Sequence, residues 1–377
     1  MSESKDVGII GAGIVGLAHA WAAAKRGHRV TVFERGNVAA GASVRNFGMV
    51  WPIGQPSGEF HELALRSRRL WDELARDSGI GLDPCGSIHL AHHDDEFQVL
   101  REFAERGPDL GYPCELLDAA AVLERTPAAN PDGLRGGLHS PTEACVDPRA
   151  VIRDLPAWLT ETYGVRFFFN TAVTEIEDGS VRAGNGRSWD FHLAIVCSGA
   201  DLETLFPEVF IDSGLRRCKL QMLKTPPQPG GWRTRTHLAS GLTLRHYANF
   251  NVCPTLADVS ARIAHDSPEL DRHGIHVMIS QNARGEAILG DSHEYDEAIE
   301  PFDKTEIDDL ILRELRKVFH LPDWSISEHW HGIYAKHPTR VLFEAHPLPN
   351  VHVCTGTGGA GMTMSFGLAD RNWERWE

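Results

Sequence analysis

The sequence predicts an α/β protein with two domains, a parallel sheet built from three separated segments and an α+β domain with an antiparallel sheet inserted twice. Three observations support this fold class. A strand–helix–strand pattern fills residues 7–34, apolar strands that end near glycines recur late in the chain, and alternating stretches lie between them. At 377 residues the chain exceeds one ordinary hydrophobic core, so two domains are expected.

The first 34 residues predict one complete βαβ unit. Residues 7–10 form a wholly apolar run, as expected for a strand buried on both faces of a parallel sheet. Residues 17–26 are rich in alanine and free of β-branched residues, which favours a helix that Gly27 can end. Residues 29–33 predict the second strand, and Glu34 follows it.

The remaining elements follow from periodicity. Helices are predicted at 59–77, 94–106, 119–125, 148–163 and 307–319. Strands are predicted at 165–170, 172–177, 192–197 and 351–354, and alternating stretches at 242–246 and 275–280 suit an antiparallel sheet. A glycine-rich turn at 356–361 and a short helix complete the chain. The predicted nucleotide domain therefore comprises 1–80, 141–212 and 325–377, and the second, substrate domain comprises 81–140 and 213–324.

Composition excludes several classes of function. The net charge of −15 would repel a polyphosphate backbone, so nucleic acid is not an expected partner. The seven cysteines are scattered and form no Cys-x-x-Cys pair, which indicates free thiols in a reducing compartment. No apolar run reaches membrane-spanning length, so no membrane partner is expected and the cytoplasm is the predicted location. Whether the protein is a monomer or a homo-oligomer is left open.

The glycine-rich turn between the first strand and helix is the main chemical signal. Gly11-Ala12-Gly13-Ile14-Val15-Gly16 matches the dinucleotide fingerprint and stands inside a βαβ unit, where that pattern is specific. The glycines permit the tight turn, the approach of a pyrophosphate and close helix packing, and the helix N-terminus attracts phosphate. Glu34 is placed to accept hydrogen bonds from a ribose diol.

The whole chain resembles the D-amino acid oxidase/glycine oxidase superfamily. The likeness rests on residues 9–35, the run Gly41-Ala42-Ser43-Val44-Arg45-Asn46-Phe47-Gly48, the segment 194–200 and the terminal 356–367. It implies a Rossmann-like FAD-binding domain of the glutathione-reductase type, FAD as cofactor, and a late glycine turn whose amides face the flavin. Besides the fingerprint residues 11–16 and Glu34, the implied cofactor-binding residues are Arg35, Ser43, Arg45, Asn46, Phe47, Gly48, Val173, Ser198, Gly199, Gly356, Gly358, Gly359, Gly361 and Met362. Asn46 could instead cap its own loop.

More narrowly, the runs 218–222, 242–247, 275–278 and 330–338 look like a bacterial subgroup linked with aminophosphonate catabolism. Glycine-oxidase-like members read Trp-x-Gly-x-Arg-Pro, whose arginine clamps the substrate carboxylate, and here Tyr334 stands at the arginine's position. Tyrosine cannot replace that bidentate clamp. We therefore expect an anion pocket drawn from a wider set of substrate-binding residues: Arg45, Arg245, His246, Tyr247, Tyr334, Lys336 and His337.

Three residues are predicted to be catalytic: Lys219, Tyr334 and Lys336. Lys219 lies within an apolar strand, where a cation needs a partner or a purpose. Superfamily oxidases place a cation near the flavin to stabilise superoxide, so Lys219 either activates oxygen or forms a structural salt bridge. No metal site is predicted, because no His-Glu-x-x-His motif occurs among the twenty histidines.

The resemblance implies an amine oxidase. A small anionic amine, such as an N-methylated 2-aminoethylphosphonate, is oxidised to an aldehyde with release of an amine or ammonia, and molecular oxygen becomes hydrogen peroxide. Three alternatives stay open: an oxidase of glycine, sarcosine or other α-amino acids, a quinone-linked amine dehydrogenase, and a non-catalytic flavin-binding subunit.

Overall fold

The structure, a computed structural model, describes residues 3–177, 179–296 and 299–376. Its strands are β1 (Asp6–Ile10), β2 (Arg29–Phe33), β3 (Met49–Val50), β4 (Leu82–Asp83), β5 (Ser87–Ala91), β6 (Glu115–Asp118), β7 (Gly136–Ser140), β8 (Ala144–Val146), β9 (Arg166–Phe168), β10 (Val173–Glu177), β11 (Ser180–Ala183), β12 (Ser188–Asp190), β13 (Leu193–Val196), β14 (Arg216–Pro227), β15 (His237–Ala239), β16 (Met278–Gln281), β17 (Glu286–Gly290), β18 (Glu294–Asp296), β19 (Glu328–Lys336), β20 (Phe343–Ala345) and β21 (Val351–Thr355). Its α-helices are α1 (Ile14–Lys25), α2 (Glu59–Ser78), α3 (Asp94–Arg106), α4 (Ala119–Arg125), α5 (Pro148–Tyr163), α6 (Pro207–Ile211), α7 (Leu256–Asp266), α8 (Pro268–Arg272), α9 (Thr305–Val318) and α10 (Gly361–Trp376).

A six-stranded sheet in the order β20-β21-β13-β1-β2-β9 carries the predicted N-terminal βαβ unit at its centre. All of its neighbouring strands are parallel except β20 and β21. Val7 and Ile9 of β1 are fully buried, as expected for a strand covered on both faces. Because β21 pairs with β13, the last part of the chain returns to the middle of the sheet that the first residues begin.

The second sheet has nine strands, in the order β18-β14-β17-β16-β15-β5-β7-β6 with β19 also paired to β14. Its pairs are antiparallel apart from β15 with β5. All nine residues of β19 pair with β14, from Glu328 opposite Lys224 to Lys336 opposite Arg216. Two small antiparallel sheets, β10-β11-β12 and β3-β8-β4, complete the architecture.

The pairing of β19 corrects one predicted boundary. We expected residues from 325 onward to belong to the nucleotide domain, but β19 lies wholly in the antiparallel sheet. The physical reason is the long ladder of hydrogen bonds that β19 forms with β14, which makes it a strand of the inserted sheet. The chain returns to the parallel sheet only at β21. The other domain boundaries stay predictions.

Two other predicted elements differ from the structure. The stretch 242–246 was expected as an alternating strand, yet Gly241–His246 is a 3₁₀ helix. Thr243 N–H donates to the Ser240 carbonyl at 3.0 Å, so this segment forms a local turn in place of a ladder. The final helix was expected to be short, but α10 is 16 residues long and buries an apolar face that includes Phe366 and Trp373.

Helix α10 packs between α1 and α2 at a close approach that requires glycine. A methyl group at Gly367 would overlap the carbonyl oxygen of Leu63 and lie 3.0 Å from the amide nitrogen of Ser67, both in α2. One turn away, Trp71 Nε1 donates to the carbonyl oxygen of Met362 at 2.8 Å. The two helices therefore touch backbone to backbone at the start of α10.

We predict that Gly367→Ala destabilises the protein. The added methyl group overlaps backbone atoms that cannot rotate away, and such overpacking costs about 1–3 kcal/mol of unfolding free energy. Gly81→Ala is the matched control, because no atom lies within 4 Å of a methyl group there. Thermal denaturation of both variants measures the difference, and equal melting temperatures would contradict the close approach of α2 and α10.

A second prediction concerns His89 of β5, which is fully buried between Trp51 and Phe250. Burial lowers the pKa of His89 to about 3. An unfolded histidine titrates near 6.5, so below that pH the unfolded chain binds a proton that the folded protein rejects. This contribution to stability is complete above pH 6.5 and is lost as the pH falls from 6.5 toward 3.

We therefore predict that His89→Phe flattens the acid dependence of stability. The loss of unfolding free energy between pH 7 and pH 5 should be smaller than in the wild type by about 2 kcal/mol. Urea denaturation at the two pH values measures it, and the comparison is independent of any constant packing penalty from phenylalanine. An unchanged pH dependence would mean that His89 titrates alike in both states.

Candidate active site

The fingerprint glycines occupy positions that a side chain cannot share. A methyl group at Gly16 would overlap the carbonyl oxygen of Gly11, and one at Gly11, where φ is +103°, would overlap the carbonyl oxygen of Cys197. At Gly13 it would meet Ser43 Oγ at 3.0 Å. Helix α1 therefore begins tightly against β1 and β13, in the kind of glycine turn that a pyrophosphate requires.

The polar residues beside this turn suit a dinucleotide. Glu34 follows β2, and its carboxylate accepts hydrogen bonds from Ala12 N–H at 3.1 Å and Gly36 N–H at 2.9 Å. Ser43 Oγ accepts from Ile14 N–H, at the start of α1, at 3.0 Å. Val15 is half-buried next to it. A carboxylate at the end of β2 and backbone amides at a helix start are the groups that a ribose and a pyrophosphate require.

Four other predicted cofactor residues lie near Glu34 or beside the ends of the parallel strands. Thr171 N–H donates to the Glu34 carbonyl at 2.9 Å, which brings the start of β10, including buried Val173, beside Glu34. Thr355 Oγ1 donates to the Gly199 carbonyl at 2.6 Å, and Ser198 Oγ donates to the carbonyl of Asp201. Arg35 pairs with Asp201 at 2.8 Å, and 69% of its side chain is exposed. Its contact with the cofactor stays a prediction.

The loop of residues 42–48 is closed by its own asparagine. Asn46 Nδ2 donates to the carbonyls of Ala42 and Ser43, and Asn46 Oδ1 accepts from Gly48 N–H at 2.8 Å. The sequence allowed two roles for Asn46, a contact with the flavin or a cap of its own loop, and these bonds are those of a cap. The same loop anchors the inserted sheet, because Phe47 O accepts from Ser280 Oγ at 2.6 Å.

Arg45 is held at this junction as well. Its Nη1 donates to the carbonyl of His331 at 3.1 Å, and its Cβ lies beside Gly332 of β19. The guanidinium is thus engaged with the backbone of the inserted sheet, and its predicted contact with substrate stays a prediction.

The late glycine turn joins the fingerprint to the inserted sheet. Gly356, Gly358 and Gly359 all have positive φ, between +56° and +87°, which favours glycine. At the start of α10, Gly361 faces Ile14 of α1, with Met362 buried beside it. On the other side, methyl groups at Gly358 and Gly359 would lie 3.4 Å from Lys336 and 3.3 Å from the Tyr334 ring.

Tyr334 and Lys336 share one face of β19, since side chains two residues apart on a strand point the same way. Tyr334 pairs opposite Cys218 of β14, and burial raises the pKa of its phenol well above the ordinary value. Lys336 Nζ donates to Tyr295 Oη at 3.1 Å. Among the residues that the structure describes, Lys336 forms no salt bridge with a carboxylate.

The position of Lys219 favours a structural salt bridge over its predicted catalytic role. Lys219 is next to Cys218 on β14 and therefore points to the opposite face of the sheet from Tyr334. Its buried ammonium pairs with Asp303 at 3.0 Å and donates to the carbonyls of Glu300 and Phe302. These contacts form the structural salt bridge that the sequence allowed. They compensate the charge of Lys219 on the face of the sheet opposite Tyr334.

Three more predicted substrate residues have partners within the protein. Arg245 pairs with Asp271 at 2.6 Å, so its charge is neutralised by a neighbour. His337 Nδ1 accepts from the amides of Thr339 and Arg340 at 3.0 and 2.9 Å, which closes a turn after β19. Tyr247 Oη donates to the sulfur of Met278 at 3.7 Å. For Arg245 and His337 these bonds give the residue a structural role within the protein, and its contact with substrate stays a prediction.

His246 belongs to a cluster that sequence reasoning missed. Its ring centroid lies 4.1 Å from that of His276 and 5.7 Å from that of His293, and His276 lies 5.0 Å from His293. Burial lowers the pKa of all three, that of His293 to about 3. We call these three residues the histidine cluster.

The signal for this cluster was present in the hairpin of β16 and β17. His276 lies two residues before β16, and His293 lies three residues after β17, so antiparallel pairing brings them together. The pairing extends past the strands, where His276 and Asp291 exchange backbone hydrogen bonds of 3.2 and 2.8 Å. His276 Nε2 also lies 3.1 Å from Asp291 Oδ1, and burial raises the pKa of Asp291 well above the ordinary value.

Two groups of side chains have the residue types and spacing of metal sites, although the sequence predicted none. The ligand atoms of the histidine cluster lie within 4.8 Å of one another, as do those of Glu344, His352 and Cys354. The second group is already internally bonded, because Glu344 accepts from Arg371 and from Asn372 Nδ2. Over residues 3–177, 179–296 and 299–376, no helix is both long and apolar enough to cross a membrane.

We predict that Gly16→Ala abolishes tight dinucleotide binding. The added methyl group forces α1 away from the Gly11 carbonyl and disorganises the amides that face the pyrophosphate. Gly184→Ala is the matched control, since a methyl group there makes only an ordinary contact of 3.5 Å with Thr174. The ratio of flavin absorbance to protein absorbance measures bound FAD, and full occupancy in the Gly16 variant would contradict this site.

Curated relatives cover part of the chain. A glycine oxidase of Geobacillus kaustophilus (strain HTA426) is 29% identical over 211 residues, which is 53% of this chain and 56% of the relative. A glycine oxidase of Bacillus licheniformis is 30% identical over 224 residues, 56% of this chain and 58% of the relative. The matched region thus spans less than two thirds of the length of these relatives.

Solved structures and a family model cover nearly all of the chain. The crystal structure of glycine oxidase from Geobacillus kaustophilus superposes with a TM-score of 0.75 at 20% identity, over 100% of this chain and 96% of that one. That of glycine oxidase from Bacillus cereus ATCC 14579 gives a TM-score of 0.76 at 18% identity, over 98% and 96%. This likeness shows the mixed α/β fold. The family model of the FAD dependent oxidoreductases matches residues 6–371, and with the fingerprint and the late glycine turn in place, the chain belongs to this DAO family.

Proposed function

We propose that this protein is an FAD-dependent oxidase of small amines, which oxidises a carbon–nitrogen bond and passes the electrons to molecular oxygen. The observation that carries the proposal is the meeting of the late glycine turn with Tyr334 and Lys336. In the resembled superfamily that turn faces the flavin, and the closeness of these two side chains to it supports their role in meeting the substrate.

The printed activities of similar proteins support a carbon–nitrogen bond as the target. Among them are two glycine oxidases, from Geobacillus kaustophilus and Bacillus licheniformis, and an iminodiacetate oxidase from Chelativorans sp. BNC1, of similar fold. All of these names describe oxidation of an amine. An alcohol substrate has weaker support, although glycerol 3-phosphate and 2-hydroxyglutarate dehydrogenases also share part of the sequence.

The reaction balances as amine plus oxygen plus water giving aldehyde, a smaller amine and hydrogen peroxide. The carbon–hydrogen bond next to nitrogen breaks with both electrons, and water then adds to the resulting carbon–nitrogen double bond. FAD, when bound, accepts those electrons and delivers them to oxygen. The protein's part is to place the amine carbon and to exclude water, and no dedicated base is required if the amine binds uncharged.

The finer proposal is that the amine carries a phosphonate. Tyr334 stands in place of the arginine that clamps a carboxylate, and the available cation, Lys336, lies two residues further along β19. A point charge such as an ammonium suits a tetrahedral dianion, whereas a planar carboxylate favours a guanidinium fork. N-methyl-2-aminoethylphosphonate is the substrate we propose, with phosphonoacetaldehyde and methylamine as products.

The main rival is an oxidase of glycine, sarcosine or another α-amino acid, and the likeness to glycine oxidases supports it. A second rival, a quinone-linked amine dehydrogenase, would reduce its flavin with the same amines but release no hydrogen peroxide.

We also propose a cytoplasmic location. All seven cysteines are free thiols, five of them buried, as expected in a reducing compartment.

Anaerobic reduction of the flavin by a panel of amines tests the proposed function. We predict that N-methyl-2-aminoethylphosphonate bleaches the flavin at least about tenfold faster than N-methyl-β-alanine, its carboxylate counterpart, or sarcosine. Oxygen consumption matched by hydrogen peroxide then distinguishes an oxidase from a dehydrogenase. A clear preference for sarcosine or glycine would replace the phosphonate proposal with the amino acid rival.

Tyr334→Phe is the matched variant for this panel. It removes the phenolic hydroxyl beside Gly359 and keeps the ring that fills the space. If Tyr334 contacts substrate, the rate of flavin reduction should fall for the best amine by about tenfold, the cost of one hydrogen bond of about 1.4 kcal/mol. Equal rates in the variant and the wild type would remove Tyr334 from the substrate site.

A further inference from the structure

Three neighbouring strands of the inserted sheet place two phenols and a thiol in one row. Cys218 of β14 lies opposite Tyr295 of β18 on one side and opposite Tyr334 of β19 on the other. Residues directly opposite each other on paired strands point to the same face of a sheet. The row therefore lies on the face that meets the late glycine turn, because a methyl group at Gly359 would lie 3.3 Å from the Tyr334 ring.

The side chain of Lys336 crosses this row and ends at Tyr295. Its stem starts beside the glycine turn, since a methyl group at Gly358 would lie 3.4 Å from Lys336 Cγ. Its ammonium donates to Tyr295 Oη at 3.1 Å, on the far side of β14. Between the two lies Cys218, which is fully buried and whose short side chain lets the lysine pass. Lys336 is thus held at both ends of its side chain.

The hydroxyl of Tyr295, and not the face of its ring, holds the ammonium. Lys336 Nζ lies 5.5 Å from the ring centroid but 3.1 Å from Oη, so it is placed beyond the hydroxyl end of the ring. The ring itself is packed against His293, whose centroid is 6.1 Å away at an interplanar angle of 24°. Removal of one oxygen atom would therefore release the ammonium and leave the ring in place.

A phenol orients an ammonium without neutralising it. On the opposite face of the sheet, Asp303 compensates the charge of Lys219. The phenol of Tyr295 is neutral at physiological pH, so Lys336 keeps its full charge, and this bond uses one of its three N–H donors. A lysine that is already ordered also loses less conformational freedom when an anion binds, and such preorganisation strengthens binding.

The pair is open to a ligand, because 46% of Tyr295 is exposed and Lys336 is only half-buried. Resting on the proposed function, in which Lys336 meets the acid group of the amine, we infer that Tyr295 is a positioning residue. Its hydroxyl holds the Lys336 ammonium where the phosphonate binds and thereby sets the affinity for amines that carry an acid group. Tyr295 acts through Lys336, so the rate of carbon–hydrogen cleavage in the bound substrate does not depend on it.

A purely structural role is the alternative for Tyr295. Strand β18 has only three residues and lies at the edge of the sheet, so its tyrosine would then serve the pairing with β14. Such a role predicts effects that are the same with or without Lys336, and the same for amines with or without an acid group. These two dependences distinguish the roles.

Anaerobic flavin reduction by N-methyl-2-aminoethylphosphonate, followed over a range of concentrations, separates binding from chemistry. We expect Tyr295→Phe to raise the apparent Kd about fivefold, the usual effect of one hydrogen bond, with a limiting rate within about twofold of the wild type. Tyr163→Phe is the matched control, because it removes a phenolic hydroxyl from a ring of α5 that packs edge-on against Trp158. Flavin absorbance and thermal denaturation check that each variant is folded and loaded.

Two comparisons show whether the effect passes through Lys336. In a Lys336→Met background, Tyr295→Phe should leave the second-order rate constant of flavin reduction unchanged, because no ammonium remains to be positioned. N-methylpropylamine replaces the phosphonate of the substrate with a methyl group. It should reduce the flavin of the wild type and of Tyr295→Phe at equal rates.

The outcomes separate the inference from the proposed function. An unchanged apparent Kd in Tyr295→Phe would overturn the inference even if the enzyme oxidises amines. A loss of equal size in the Lys336→Met background or with N-methylpropylamine would overturn it in favour of the structural role.

Failure of every amine to reduce the flavin would instead refute the proposed function. Calorimetric titration of the oxidised holoenzyme with propylphosphonate, which has no amine to oxidise, then tests Tyr295 by itself. Binding that is about fivefold weaker in Tyr295→Phe than in the wild type would support the positioning role. Equal binding by the two proteins, or no binding by the wild type, would overturn it.

Discussion

The pairing of β14 with β19 is the constraint on which the candidate site depends. Strand registers alternate between the two faces of a sheet, so a slip by one residue would turn Tyr334 and Lys336 away from the glycine turn. A slip by two residues would keep the face and move both side chains by about 7 Å. The parallel sheet supplies the turn, but this ladder determines which side chains of the inserted sheet meet it.

Two buried lysines of β14 are paired with carboxylates. Lys219 faces Asp303 at 3.0 Å, and Lys224 faces Glu286 and Glu328 at 3.1 and 2.7 Å, so both charges are compensated. An uncompensated charge is costly in such surroundings, which is why buried charges are normally paired. Within the described part of the chain, the hydrogen-bond partner of the Lys336 ammonium is the hydroxyl of Tyr295 and no carboxylate. Lys336 is only half-buried, so its ammonium can do without a carboxylate partner, and its contact with the substrate's acid group stays a proposal.

Local sequence signals predicted the parallel sheet well and the inserted site poorly. The fingerprint glycines and the apolar strand before them form a pattern that is complete within the first 34 residues, and helices such as 94–106 and 148–163 have clear periodicity. The roles of Lys219 and Arg245 depended on ion pairs with Asp303 and Asp271, which lie in other segments of the chain and which no local pattern identifies. The histidine cluster depended on strand pairing, and 241–246 was misread because its alternation is accidental within a 3₁₀ turn.

The return of the chain at β21 and α10 has a consequence for biosynthesis. The dinucleotide turn is synthesised before the inserted sheet, yet the strand beside β13 and the helix that covers α1 are synthesised after it. A nascent chain on the ribosome therefore exposes half of a nucleotide domain while the inserted sheet is made. Helix α1 lacks its cover until α10 is made, and until then its apolar face is a surface of the kind that chaperones protect.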